Sequence, residues 1–116
     1  MVNLMKIKTL MTVTLLCLGQ LAFGQGAIIA QGYEVPLSKF QAPATANGGV
    51  AFQECDDCNR MSVRVTNGTR YSINGKAVRL EDFKKAISQV QNRDEVTLTV
   101  LHHLESDTIE MIDVSL

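Results

Sequence analysis

Between Leu80 and Gln91 the apolar residues Leu80, Phe83, Ala86, Ile87 and Val90 recur at helical spacing, and on both sides the pattern reverts to strand-like alternation. A chain whose hydrophobic period changes from two to about 3.6 and back has to lay one helix on strands drawn from both sides of it. Glu81 and Asp82 stand in the first turn and Lys84 and Lys85 follow, an order that suits the helix dipole and spaces Glu81 to pair with Lys85. In a chain of 116 residues every such face is needed for the core, so the stripe reads as core rather than as a groove for a partner.

Upstream, Met61 to Ile73 reads as a hairpin. A three-residue loop, Thr66-Asn67-Gly68 with Gly68 left-handed, pairs Met61 with Ile73 and Val63 with Tyr71 and so puts the apolar residues on one face. It also sets Arg64 across from Arg70, a like-charge pair that needs solvent. Asn74-Gly75 makes the next turn, and Val50 to Glu54 can supply an earlier strand. Downstream, Glu95 to Leu116 forms a second hairpin around Glu105-Ser106-Asp107, pairing Val96 with Leu116, Leu98 with Val114 and Val100 with Ile112. Near the tip the alternation inverts: His102 falls across from Glu110, while Leu101, Met111, His103 and Ile109 take the other face. Either a bulge after Leu101 turns the side chains inward, which is the favoured reading, or Leu101, Ile109 and Met111 form an apolar patch for a partner. The expected domain is thus a small α+β unit over residues 50–116, ββαββ in order, with two antiparallel hairpins flanking one helix.

The N-terminus reads as an address. Lys6 and Lys8 precede the apolar run Leu10 to Leu18, and Ala22-Phe23-Gly24 offers the small residues of a cleavage site, so residues 1–24 are expected to be a signal peptide and the protein periplasmic or secreted. The run is shorter than the roughly 20 apolar residues that span a bilayer, so no stable membrane anchor is expected after cleavage. Cys17 follows Leu15 and Leu16 rather than small residues, and reads as a cysteine lost with the signal rather than a lipidation site. Residues 25–49, with Pro36, Pro43 and Asn47-Gly48-Gly49, read as an extended or mobile leader. Tyr33, Val35 and Leu37 alternate as a short strand would, and Pro36 would confine such a strand to a sheet edge.

A formal net charge of −1 with no long basic run argues against a nucleic-acid partner. No Gly-x-Ser-x-Gly elbow and no phosphate-cradling loop is visible, so neither a catalytic residue nor a cofactor is expected. The best chemical lead is Cys55-Asp-Asp-Cys58, which in an exported chain should oxidise to a disulfide. A loop this small stabilises by at most about 2 kcal/mol, enough to tie a local turn. A thiol oxidoreductase would need a lowered thiol pKa, whereas Glu54, Asp56 and Asp57 crowd these cysteines with negative charge. Metal binding would draw on Cys55, Cys58 and His102, because adjacent His102 and His103 point to opposite faces of a strand. Three protein ligands at best make no metal the expectation.

Ile73-Asn-Gly-Lys-Ala-Val78, Glu81-Asp-Phe-Lys-Lys-Ala-Ile87 and Asp94-Glu-Val-Thr-Leu-Thr-Val-Leu101 together resemble the C-terminal half of a PDZ domain from bacterial periplasmic proteases. The resemblance covers residues 71–116; no carboxylate-binding loop precedes it, so the family's peptide-binding residues do not carry over. A five-stranded oligomer-binding barrel, which carries a helix before its last two strands, is similar in the order of its elements. The expected role is a non-catalytic interaction or accessory module with a protein partner, engaged through a sheet edge or the Leu101/Ile109/Met111 tip. The alternative is a thiol-redox or metal function at Cys55 and Cys58.

Overall fold

The two most regular alternating segments become the centre of the sheet. The computed structural model describes residues 29–116, so the expected signal peptide and the first residues of the leader lie outside it. Among the described residues the chain forms β1 (Ala30–Pro36), a 3-10 turn (Leu37–Lys39), β2 (Phe40–Gln41), β3 (Gly49–Phe52), β4 (Met61–Arg64), β5 (Arg70–Ile73), β6 (Lys76–Val78), α1 (Leu80–Ser88), β7 (Thr97–His103) and β8 (Thr108–Ser115). This is a small mixed α+β domain with an open eight-stranded sheet, hydrogen-bonded in the order β1-β7-β8-β4-β3-β2, with β5 also on β8 and β6 on β5. The two ends of that path, β1 and β2, are consecutive in sequence and separated only by the 3-10 turn. Leu37 N–H donates to Val96 O at 2.8 Å and Gln53 N–H to Lys39 O at 3.1 Å, tying this corner to both sides of the sheet.

Met61 to Ile73 is not a hairpin. β4 pairs antiparallel with β3, β5 pairs antiparallel with β6, and both run parallel to β8, with Arg64 opposite Thr108 and then Arg70 to Ile73 opposite Met111 to Val114. Between them the chain steps outward instead of reversing. Thr69, itself buried, holds the step: its hydroxyl accepts Thr66 N–H at 3.0 Å and donates to Ile109 O at 2.6 Å. Gly68 does not adopt the left-handed conformation expected of it, and Arg64 and Arg70 never face each other. The left-handed turn lies one step later, where Asn74 (φ 52°) and Gly75 (φ 82°) form the two-residue loop of the β5–β6 hairpin, a backbone that Gly adopts without steric cost. Antiparallel hairpins do flank the helix, but the first spans residues 70–78 and four strands precede it.

The expected leader belongs to the sheet from Ala30 onward. β1 pairs with β7 over seven residues, and Val35, Leu37 and Phe40 lie in the core. Pro36 ends this strand at an edge of the hydrogen-bonded order, where its missing N–H breaks no ladder. The helix delivers its stripe as read: Phe83 and Ile87 are buried, Leu80 and Val90 pack at the margin, and Phe83 meets Tyr71 with ring centroids 5.4 Å apart. Burying each such side chain stabilises by roughly 1.5–3 kcal/mol. Tyr71 is held in this setting, and its burial raises the phenol pKa above its ordinary value. The ion pair in the first turn is Arg79 with Asp82 at 3.5 Å instead of Glu81 with Lys85.

Candidate docking face and disulfide loop

Alternation in the long strands decides which side chains face out. Val35 of β1, Leu98 and Val100 of β7, and Ile112 and Val114 of β8 are buried, so Gly32, Thr99, Leu101, Met111 and Asp113 take the outer side. The register places Gly32 opposite Leu101, Leu101 opposite Met111, and Met111 opposite Arg70, in one row across four strands. Leu101 and Met111 are half-buried, and a Cβ on Gly32 would have no atom within 4 Å, so the row is open at its β1 end. The adjacent row is polar and internally satisfied. Thr99 donates to Glu34 at 3.2 Å, while Asp113 accepts the Ser72 hydroxyl and the Gly75 N–H, the latter at 3.0 Å. At the far end stands the exposed Arg70 of β5, and the exposed Arg64 of β4 lies two register rows along.

The bulge falls where the inverted pattern asks for it. Leu101 faces Met111, His102 faces Ile109, and Glu110 is the extra residue. Its effect is to turn Ile109 and His102 inward, leaving them 1% and 7% exposed. Ile109 is therefore core and drops out of the expected Leu101/Ile109/Met111 patch. His102 does not lie across from Glu110; its Nε2 sits 2.7 Å from Asp107 Oδ1, and its ring packs near Tyr33 with centroids 6.4 Å apart. His103 is half-exposed and serves the loop, its Nδ1 accepting Ser106 N–H at 3.3 Å and lying 2.9 Å from Ser106 Oγ.

Cys55 and Cys58 are joined by a disulfide, with Cα atoms 5.0 Å apart. The bond closes a tight turn in the loop between β3 and β4, where Cys58 N–H donates to Cys55 O at 3.2 Å. Gln53 braces the same turn from its base, its carboxamide donating to Asp56 O at 3.0 Å and Cys58 O at 2.7 Å. Lys39, from the corner between β1 and β2, pairs with the Asp56 carboxylate. That hydrogen bond and the attraction behind it hold the Asp56 pKa below its ordinary value and the Lys39 pKa above its own. Among the described residues no group of three His, Cys, Asp or Glu side chains is placed to hold a metal ion. The candidate ligands Cys55 and Cys58 are bonded to each other, and His102 Nε2 is engaged by Asp107.

Gly32 and Arg70 join the row only through the sheet order, since nothing in their local sequence marks them. Gln53 and Lys39 likewise gain their roles from the loop they meet. Comparison with known proteins finds no matching family model, no matching curated protein and no matching solved structure.

Proposed function

We propose that the protein is an exported, non-catalytic interaction module that receives an extended segment of a partner protein across Gly32, Leu101 and Met111. The row is apolar at its centre, Arg70 closes one end, and Arg64 lies two register rows along, opposite Thr108. Those charges favour a segment that carries an apolar side chain followed by carboxylates. The single observation behind this reading is that Leu101 and Met111 pair on the outer side of the central hairpin with the β1 end of their row uncovered. The export part of the proposal rests on the N-terminal sequence and agrees with an oxidised cysteine pair. For the architecture we favour an oligomer-binding-like barrel over a PDZ-like half. The sheet's two end strands are joined through one turn, β4 and β5 run parallel to β8, and the helix precedes the last two strands.

The test places a photo-crosslinking residue at Gly32 and, as a control, at Lys76 in the exported protein. A single partner captured from position 32 and not from 76, and lost on Met111→Asp with the melting temperature retained, is the expected result. Equal loss of capture and of folding in Met111→Asp would show the row to be core and overturn the reading.

A further inference from the structure

We propose that the Cys55–Cys58 disulfide is a thiol-exchange site that opens and recloses in the folded protein, with the Cys55 sulfur as the atom attacked. The proposal is independent of the docking face. Cys55 is exposed and Cys58 half-buried, so an incoming thiolate reaches Cys55 first. Both lie in the β3–β4 loop, outside the strands, and the flanking core residue Phe52 is fixed by its own pairing with Phe40 and Met61. Opening the bond therefore requires no strand to separate. The turn is also held without it, by Gln53 on two carbonyl oxygens and by Lys39 on Asp56. The reduced loop stays close to its closed shape, and the two sulfurs remain poised to rejoin.

The chemistry balances with a 1,4-dithiol as co-reactant, whose two sulfurs can close a six-membered cyclic disulfide. One of its thiolates attacks Cys55 Sγ, the Cys55–Cys58 bond breaks, and Cys58 leaves as a thiolate that takes up a proton. The second thiol of the reagent then attacks the mixed disulfide at its own sulfur and frees Cys55. The reagent ends as a disulfide and the protein as a dithiol, a two-electron transfer. In reverse, the reduced pair gives its electrons to a partner's disulfide. The direction favoured at equilibrium follows from charge. Glu54, Asp56 and Asp57 adjoin the pair in sequence, and only Asp56 among them is in an ion pair in the described residues. Fixed negative charge disfavours thiolates, which favours the oxidised form and makes the dithiol the better electron donor.

The test is the rate at which dithiothreitol reduces the disulfide in the native protein and in denaturant, read by alkylation and mass spectrometry. Exchange in the folded state should run within about tenfold of the unfolded rate, since no unfolding step precedes it. Native reduction slowed by more than about a thousandfold would mean the bond opens only through unfolding, and would overturn the proposal. In glutathione buffers Asp57→Asn should raise the reduced fraction at a given buffer ratio by a few-fold. No change in that ratio would overturn the assignment of the charge effect. Cys58→Ser should leave Cys55 able to form a mixed disulfide with glutathione; a Cys55 thiol that resists glutathione disulfide would contradict the choice of attacked sulfur.

Discussion

Thr69 donates its hydroxyl hydrogen to the carbonyl oxygen of Ile109, forty positions away, at 2.6 Å, while the Thr69 hydroxyl oxygen accepts Thr66 N–H at 3.0 Å. This buried contact lets the chain pass from β4 to β5 along one side of β8 instead of turning back on itself. Thr69→Val keeps the shape but strands the Thr66 donor and the Ile109 acceptor. It should lower stability by about 1–3 kcal/mol in urea unfolding. A loss under about 0.5 kcal/mol would show that the step is held by other means.

The bulge makes opposite predictions for two neighbours on β8. Ile109 faces the core, so Ile109→Ala should cost about 2–4 kcal/mol. Met111 faces out and is half-buried, so Met111→Ala should cost less than about 1.5 kcal/mol. Equal losses in thermal or urea unfolding would place both side chains on one face and contradict the register.

Two glycines separate backbone need from open space. Gly75 sits at φ 82° in the β5–β6 turn, so Gly75→Ala should destabilise by about 1 kcal/mol despite having room for a methyl group. Gly32→Ala meets nothing and relieves strand entropy, so stability should hold or rise by a few tenths of a kcal/mol, about the difference expected for Gly in a strand. Paired calorimetric scans of the two variants decide the matter.

Asp56 should titrate below the ordinary carboxylate range, first because of its hydrogen bond from Lys39 and then because of that residue's charge. A depressed folded-state pKa adds stability above the unfolded value and loses it as pH falls through the folded one. The contribution is therefore present at neutral pH and fades on acidification below the usual Asp range. Carbon-detected NMR titration should show the Asp56 midpoint moving back up in Lys39→Met. An unmoved midpoint would place the cause elsewhere.

Removing the disulfide should be mild for folding. Cys55→Ser with Cys58→Ser should lower stability by no more than about 2 kcal/mol, because the closed loop is short and Gln53 holds its carbonyls independently. A protein that no longer folds would give the bond a structural weight this geometry does not supply.

Periodic segments were legible from sequence because burial itself is periodic. The helix stripe of Phe83 and Ile87, the β7–β8 pairing of Leu98 with Val114 and Val100 with Ile112, and the bulge after Leu101 all follow from local alternation. The Asn74-Gly75 turn was legible for the same local reason, since two adjacent residues of this kind accept positive φ. The Met61–Ile73 segment misled because Asn67-Gly68 carries the same turn chemistry, while the deciding bond is made to Ile109, far along the chain. The docking row was half legible: Leu101 and Met111 could be read from the hairpin, but Gly32 and Arg70 reach it only through long-range pairing with β7 and β8. His102 was misplaced by one register step, and that step exchanged Glu110 for Asp107 as its partner.

β8 is bonded to β4, β5 and β7, and β7 in turn carries β1. β1, and the second edges of β4 and β5, thus find their neighbours only in the final stretch of the chain, between Thr97 and Ser115. During synthesis the earlier part of the chain must wait with unpaired edges until that stretch emerges. Such a topology makes the last twenty or so residues a gate on folding: a chain cut short before β8 should be recognised by proteases as unfolded, however intact everything ahead of the cut.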